Sequence, residues 1–236
     1  MTAAPVRGII FDKDGTLFDF GTTWEAWAAA FLLRATDGDR ARATQIGAHI
    51  GFDLVDRKFA RDSVVIAGTP EEIAAALAPH FEGQSEAALM ETLNQEAAQA
   101  PQAEAVPLIP FLEGLRGRDL ALGVATNDAE APALAHLNAA GVVARFDFIA
   151  GSDSGYGGKP APGQLLGFCA ETGIPPAETI MVGDSLHDLK AGRAAGMRTV
   201  GVLTGLATQS ELAPFANVVC PDIGHLPAWL DTLASV

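Results

Sequence analysis

Residues 7–18 read Arg-Gly-Ile-Ile-Phe-Asp-Lys-Asp-Gly-Thr-Leu-Phe. The apolar run Ile9-Ile10-Phe11 ends abruptly in two carboxylates, Asp12 and Asp14, and Gly15 and Thr16 then turn the chain. β-Branched and aromatic residues bounded by Gly and Asp predict a buried strand. Both carboxylates then stand at its carboxyl end, where open α/β sheets hold their ligands. Acids at i and i+2 share one site if the chain bends after the first. One can act as a nucleophile while the other moves protons. The same residues also suit an ordinary strand-end turn, because Asp-Gly is common in turns. Lys13 between the two acids should point away from Asp12 by strand alternation and is read as a tolerated substitution.

Farther along, Ala121-Leu122-Gly123-Val124-Ala125 ends in Thr126-Asn127, and Ile180-Met181-Val182-Gly183 ends in Asp184. From about residue 110, helix and strand patterns alternate. Strands are expected near 120–125, 146–150, 179–182, 198–203 and 217–219. Helices are expected near 110–117, 130–140, 162–173, 186–196 and 224–234. Strands separated by helix-length segments imply parallel βαβ units. Parallel strands point the same way, so Asp12, Thr126 and Asp184 should meet at one sheet edge. The expected fold is therefore α/β, a Rossmann-like parallel sheet core from 1–19 and 104–236. An all-helical cap domain, 20–103, is inserted between its first two strands. In that block Thr22 and Glu25 have capping-box spacing, and Trp24, Trp27 and Phe31 form one apolar helical face, read as core. Further helices are expected over Arg40–Ile50, Asp53–Arg61 and Ser85–Gln99. Another should start at Thr69-Pro70-Glu71-Glu72.

Hydrophobic residues make up 49% of the 236 and charged residues 19%, the balance of a globular chain rather than a disordered one. No apolar run has the length of a membrane span. The residues before the first strand lack the apolar stretch of a signal peptide. Cys169 and Cys220 lack metal-type spacing and are expected to be buried free thiols, which suits a cytoplasmic location. A net charge of −14 repels nucleic acid and acidic membranes, so neither is an expected partner. The same charge repels anionic substrates. An anion site must then carry its own positive charge, from a lysine such as Lys159 or a bound divalent cation.

Asp12-Lys13-Asp14-Gly15-Thr16, Thr126-Asn127, Gly158-Lys159-Pro160 and Gly183-Asp184-Ser185 occur in that order. In all four the chain resembles the haloacid dehalogenase-like phosphohydrolases. From Gly155 to Gly205 it is most similar to the phosphoglycolate phosphatase-like branch. The resemblance implies a Mg²⁺-dependent phosphatase acting on a small phosphorylated metabolite through an aspartyl-phosphate. Asp12 would be the nucleophile. Asp14 would be the general acid and then the base, which requires a protonated fraction favoured by a neighbouring carboxylate. Thr126 and Asn127 would donate hydrogen bonds to phosphoryl oxygens, and Lys159 would neutralise charge on nucleophile and substrate. Asp12, the backbone carbonyl of Asp14, and Asp184 would hold Mg²⁺, with Asp188 supporting them. His187 is expected at the surface. Asp14 favours phosphoryl transfer over halide displacement, which needs no proton donor. Sugar phosphomutase chemistry uses the same motifs and stays an alternative. A phosphonatase would need a Schiff-base lysine from the cap, where only Lys58 is available. A non-catalytic phosphate-binding module is a further alternative. Arg57, Lys58 and Arg61 are read as a solvated face that can instead supply charge to a substrate.

Overall fold

A computed structural model describes residues 4–234. Six parallel strands form the central sheet: β1 (Gly8–Phe11), β4 (Ala121–Ala125), β5 (Phe148–Ala150), β6 (Thr179–Gly183), β7 (Arg198–Val202) and β8 (Val218–Cys220). Their order is β5-β4-β1-β6-β7-β8. Every residue of β1 is buried, as its continuous apolar run predicts. Ile9 and Phe11 pack into one apolar layer and Ile10 into the opposite one, so alternation along one strand serves both faces. The helices covering the sheet are α6 (Leu108–Arg116), α7 (Glu130–Ala139), α8 (Gly163–Thr172), α9 (Leu186–Ala195), the short α10 (Gln209–Leu212) and α11 (Leu226–Ala234). The α/β class is as expected, and each expected strand forms within a residue or two of its predicted bounds.

β1 lies between β4 and β6, in register with both: Phe11 pairs with Val124 on one side and Val182 on the other. Strand order reverses at β1, so the connections leave it in opposite directions and open a crevice beyond its carboxyl end. Asp12, Thr126 and Asp184 each stand at or just past the end of one of these three strands.

Between β1 and α6 the chain forms α1 (Ala26–Ala35), α2 (Arg40–His49), α3 (Val64–Ala67), α4 (Pro70–Leu77) and α5 (Glu86–Ala97). These helices share an apolar cluster of their own that includes Trp24, Trp27 and Phe31. Thr69 and Glu72 cap α4 reciprocally, with Pro70 at its first position, as the sequence indicates. Two expectations fail here. The helix expected over Asp53–Arg61 is replaced by a hairpin of β2 (Phe52–Asp53) and β3 (Lys58–Phe59), so this block is not all-helical. The Asp53 carboxylate accepts from the Val55 and Asp56 backbone N–H groups, and Arg57 takes φ 52°. An Asx-type turn thus outcompetes the helical periodicity. Thr22 and Glu25 do not form a capping box: Asp19 accepts from the Thr22 N–H, and Glu25 pairs with Lys58. Two antiparallel linkers join the block to the sheet, with Asp19 N donating to Ala103 O and Ala105 N to Leu17 O. Cys220 is buried, but Cys169 is only partly so, and both are free thiols.

Candidate active site

The turn after β1 has a steric reason to contain glycine. Gly15 adopts φ +77°, and a Cβ there would lie 2.6 Å from the Asp184 carboxylate. A Cβ on Gly205 would come within 1.6 Å of Asp184 Oδ2. Two loops therefore close on Asp184 as only glycine permits. The carboxylate also lies 3.4 Å from the Thr16 hydroxyl.

Asp188 sits at the third position of α9, where its Oδ2 accepts from Ser185 N and Oγ in a capping box. Its Oδ1 accepts a 2.6 Å hydrogen bond from Lys159 Nζ. Lys159 Nζ also donates to Asp12 Oδ1 at 2.6 Å. One buried ammonium thus joins the end of β1 to the start of α9. Asn127 holds the lysine's backbone at both ends: its Oδ1 accepts from Lys159 N at 2.7 Å, and its Nδ2 donates to Lys159 O at 2.8 Å. The same Nδ2 donates to Ala67 O at 2.7 Å, reaching into the inserted block. Thr126 Oγ1 accepts from Asp128 N, which leaves its hydroxyl hydrogen without a partner among the described residues.

Asp12, Asp184 and Asp188 offer carboxylate oxygens within 4.8 Å of one another, all buried. Burial raises Asp12 to about 7, with the Lys159 ammonium opposing the rise and Asp188 and Asp14 adding to it. Asp184 is raised well above the carboxylate range, by burial first and then by Asp12 and Asp188. Three hard oxygen donors against one ammonium suit a divalent cation such as Mg²⁺.

Lys13 is not the tolerated substitution expected. It is fully buried, and its Nζ touches both Asp14 oxygens, at 2.8 and 2.7 Å. Asp128 Oδ2 lies at 3.3 Å, and His136 Nδ1 accepts at 2.9 Å. His136 Nε2 must then carry the ring proton that it donates to Ala97 O. Burial, with Lys13 beside it, lowers His136 to about 4, so the ring is neutral at pH 7. Burial raises Asp128 to about 6 against the pull of Lys13. Asp14 thus has the expected carboxylate neighbours, Asp12 and Asp128, and in addition a buried lysine that was not expected. Lys13, Asp128 and His136 were missed as site residues, because their only sequence signal was one lysine inside the acidic pair.

The site opens onto a cavity of about 60 Å³ between sheet edge and inserted block. Asp12, Asp14, Thr126, Asn127, Lys159, Asp184 and Asp188 all line it. His187 lines it too, half-buried rather than at the surface, and burial lowers its pKa. Arg57, Lys58 and Arg61 do not line it. Lys58 pairs with Glu25, and Arg61 with Glu211 and Leu206 O. No amine of the inserted block reaches the site for Schiff-base chemistry.

Residues 6–196 match the haloacid dehalogenase-like hydrolase family. The chain belongs to this family. It is 32% identical over 196 residues to a phosphoglycolate phosphatase of Nitrosospira multiformis, covering 81% of each chain. It is 30% identical over 207 residues to an N-acetylmuramic acid 6-phosphate phosphatase of Pseudomonas aeruginosa, covering 85% of this chain and 83% of that one. CbbY from Rhodobacter sphaeroides, solved with phosphate, shares the fold at a TM-score of 0.71 and 22% identity, covering 96% of this chain and 99% of that one. The relatives bear out a phosphoric monoester hydrolase, a HAD-family phosphatase.

Two outcomes follow. Lys13→Met leaves the Asp14 and Asp128 carboxylates without their buried cation and should cost about 3–5 kcal/mol in urea unfolding. A loss below about 1 kcal/mol would mean that Lys13 is not the counter-charge. The second outcome concerns pH. Carboxylates raised on folding favour the folded state below their ordinary pKa and lose that benefit as pH rises toward about 7, the value for Asp12. A divalent cation needs them ionised, so binding releases protons and strengthens with pH. The rise in Tm on adding Mg²⁺ should be small at pH 5.5 and larger at pH 8. An increment independent of pH would contradict this.

Proposed function

We propose that this HAD phosphatase is a Mg²⁺-dependent hydrolase of a small phosphomonoester, working through an aspartyl-phosphate on Asp12. One observation carries the reading: a buried ammonium, Lys159, holds Asp12 Oδ1 in a cavity that Asp14 also lines. Oδ1 being engaged, Oδ2 is the oxygen that attacks phosphorus in line with the ester oxygen. The O–P bond forms as the P–O bond to the leaving group breaks. Asp14 donates a proton to the departing oxygen and then takes one from the water that cleaves the acyl-phosphate. Lys13 fixes the orientation of the Asp14 carboxylate. Lys159 offsets negative charge on nucleophile and phosphoryl oxygens, and the free Thr126 hydroxyl hydrogen reaches one of those oxygens. Asn127 contributes by bracing the Lys159 backbone. Asp12, Asp184 and the backbone carbonyl of Asp14 would hold Mg²⁺, with an Asp188 oxygen alongside. When bound it supplies Lewis-acid stabilisation of phosphoryl charge.

Segment 20–103 serves as a cap. The cavity lies between this block and the sheet edge, and the paired linkers at Leu17–Asp19 and Ala103–Ala105 are the hinge on which the block would move as substrate enters. Closure keeps bulk water from the aspartyl-phosphate. The composition suits a cytoplasmic enzyme.

Asp12→Asn should remove turnover while leaving the circular-dichroism spectrum unchanged, and excess chelator should silence the wild type. Asp14→Asn should slow an alkyl phosphate by about 10²–10⁴-fold in the first step, but slow an aryl phosphate far less, because a phenolate leaves without a proton. Equal first-step losses in a rapid-quench assay would remove Asp14 from the acid role.

A further inference from the structure

The two walls of the cavity differ in chemistry. The sheet edge supplies every charged group that lines it. The cap wall is apolar and aromatic, with Phe20, Trp24, Trp27, Val65, Ile73 and Leu93 among its residues. It contains no lysine, arginine or histidine, although the same block carries several cations. Three of them are paired elsewhere, Arg34 with Glu96, Lys58 with Glu25 and Arg61 with Glu211. The cap's one polar side chain on this wall is Asn94, which is half-buried. Its amide makes no hydrogen bond among the described residues. Trp27, only 4% exposed, has an indole Nε1 that is buried without an acceptor.

This wall faces the leaving group, because the phosphoryl end must lie against Asp12. A carboxylate there would lose its hydration and find no cation on the cap wall, while the ammoniums of the sheet edge, Lys13 and Lys159, are already paired with carboxylates. A polyol would bury several hydroxyls against one free amide. An apolar or aromatic body would lose nothing and pack against Trp24 and Trp27. An amide both donates and accepts, so Asn94 suits a single hydrogen-bonding group.

We infer that the substrate is a phosphomonoester with an uncharged leaving group. That group has an apolar or aromatic body held by Trp24 and Trp27, and one polar group read by Asn94. This rests on the phosphatase reading and deepens it. It also sets this chain apart from its phosphoglycolate phosphatase relatives, whose named substrate carries a carboxylate.

The test compares kcat/KM for benzyl phosphate, 2-phosphoglycolate and glucose 6-phosphate in Mg²⁺. Acetyl phosphate, whose leaving group is small and activated, serves as the check on phosphoryl chemistry. Benzyl phosphate should exceed both other esters by at least about tenfold. Asn94→Lys places a cation on the cap wall and should raise kcat/KM for 2-phosphoglycolate by about tenfold while lowering it for benzyl phosphate. Preference of the wild type for 2-phosphoglycolate or glucose 6-phosphate, with acetyl phosphate hydrolysed, would overturn this inference and leave the phosphatase standing. If acetyl phosphate and all three esters were inert, both would fall.

Discussion

Asp12, Asp184 and Asp188 bring their oxygens within 4.8 Å of one another in a closed site, in a chain whose net charge is already −14. Carboxylates so placed repel one another and lose hydration at the same time. Lys159 is the ammonium set among them, with 2.6 Å contacts to Asp12 and Asp188. One positive charge against three carboxylates leaves two negative charges, the deficit a divalent cation would fill. Much of the local architecture answers this crowding. Asn127 clamps the lysine's backbone, Ser185 caps the far oxygen of Asp188, and Gly15 and Gly205 leave space around Asp184. A second cluster repeats the arrangement a few residues away, with Lys13 buried between Asp14 and Asp128 and a neutral His136 completing its contacts.

The sheet makes this crowding possible. Its order reverses at β1, so the ends of β1, β4 and β6 deliver three polar segments to one crevice. The apolar runs before them, buried on both faces, supply a rigid base. Groups held this way need little reorganisation when charge develops on a phosphoryl group, which is where preorganised sites gain most. Asn127 and His136 each reach a backbone carbonyl of the inserted block, Ala67 and Ala97, so the charged clusters and the block above them are hydrogen-bonded together.

The core strands were legible because each is a short apolar run bounded by Gly, Asp or Asn, and such runs have few alternatives in a parallel sheet. The convergence of Asp12, Thr126 and Asp184 followed from strand direction alone. Lys159 was harder to place, since its loop position says nothing about distance to Asp12; its role came from family resemblance, and its 2.6 Å contact from the fold. The hairpin at Phe52–Phe59 was misread because Asp53 and Arg57 also fit a helical spacing, while the Asx turn that wins depends on backbone hydrogen bonds. Lys13 and His136 are 123 residues apart in the chain, and no local pattern links them. The apolar face of Trp24 and Trp27 was legible as core, but not as the wall of a cavity.

The central claim is that Asp12 itself carries the phosphoryl group during turnover. Quenching the enzyme in acid within milliseconds of mixing with Mg²⁺ and an aryl phosphate, then mapping peptides by mass spectrometry, tests it directly. The account predicts the added mass of one phosphoryl group on the peptide containing Asp12, absent without Mg²⁺ and absent in Asp12→Asn. Full turnover with no modification of that peptide at any quench time, or modification of a different side chain, would contradict it.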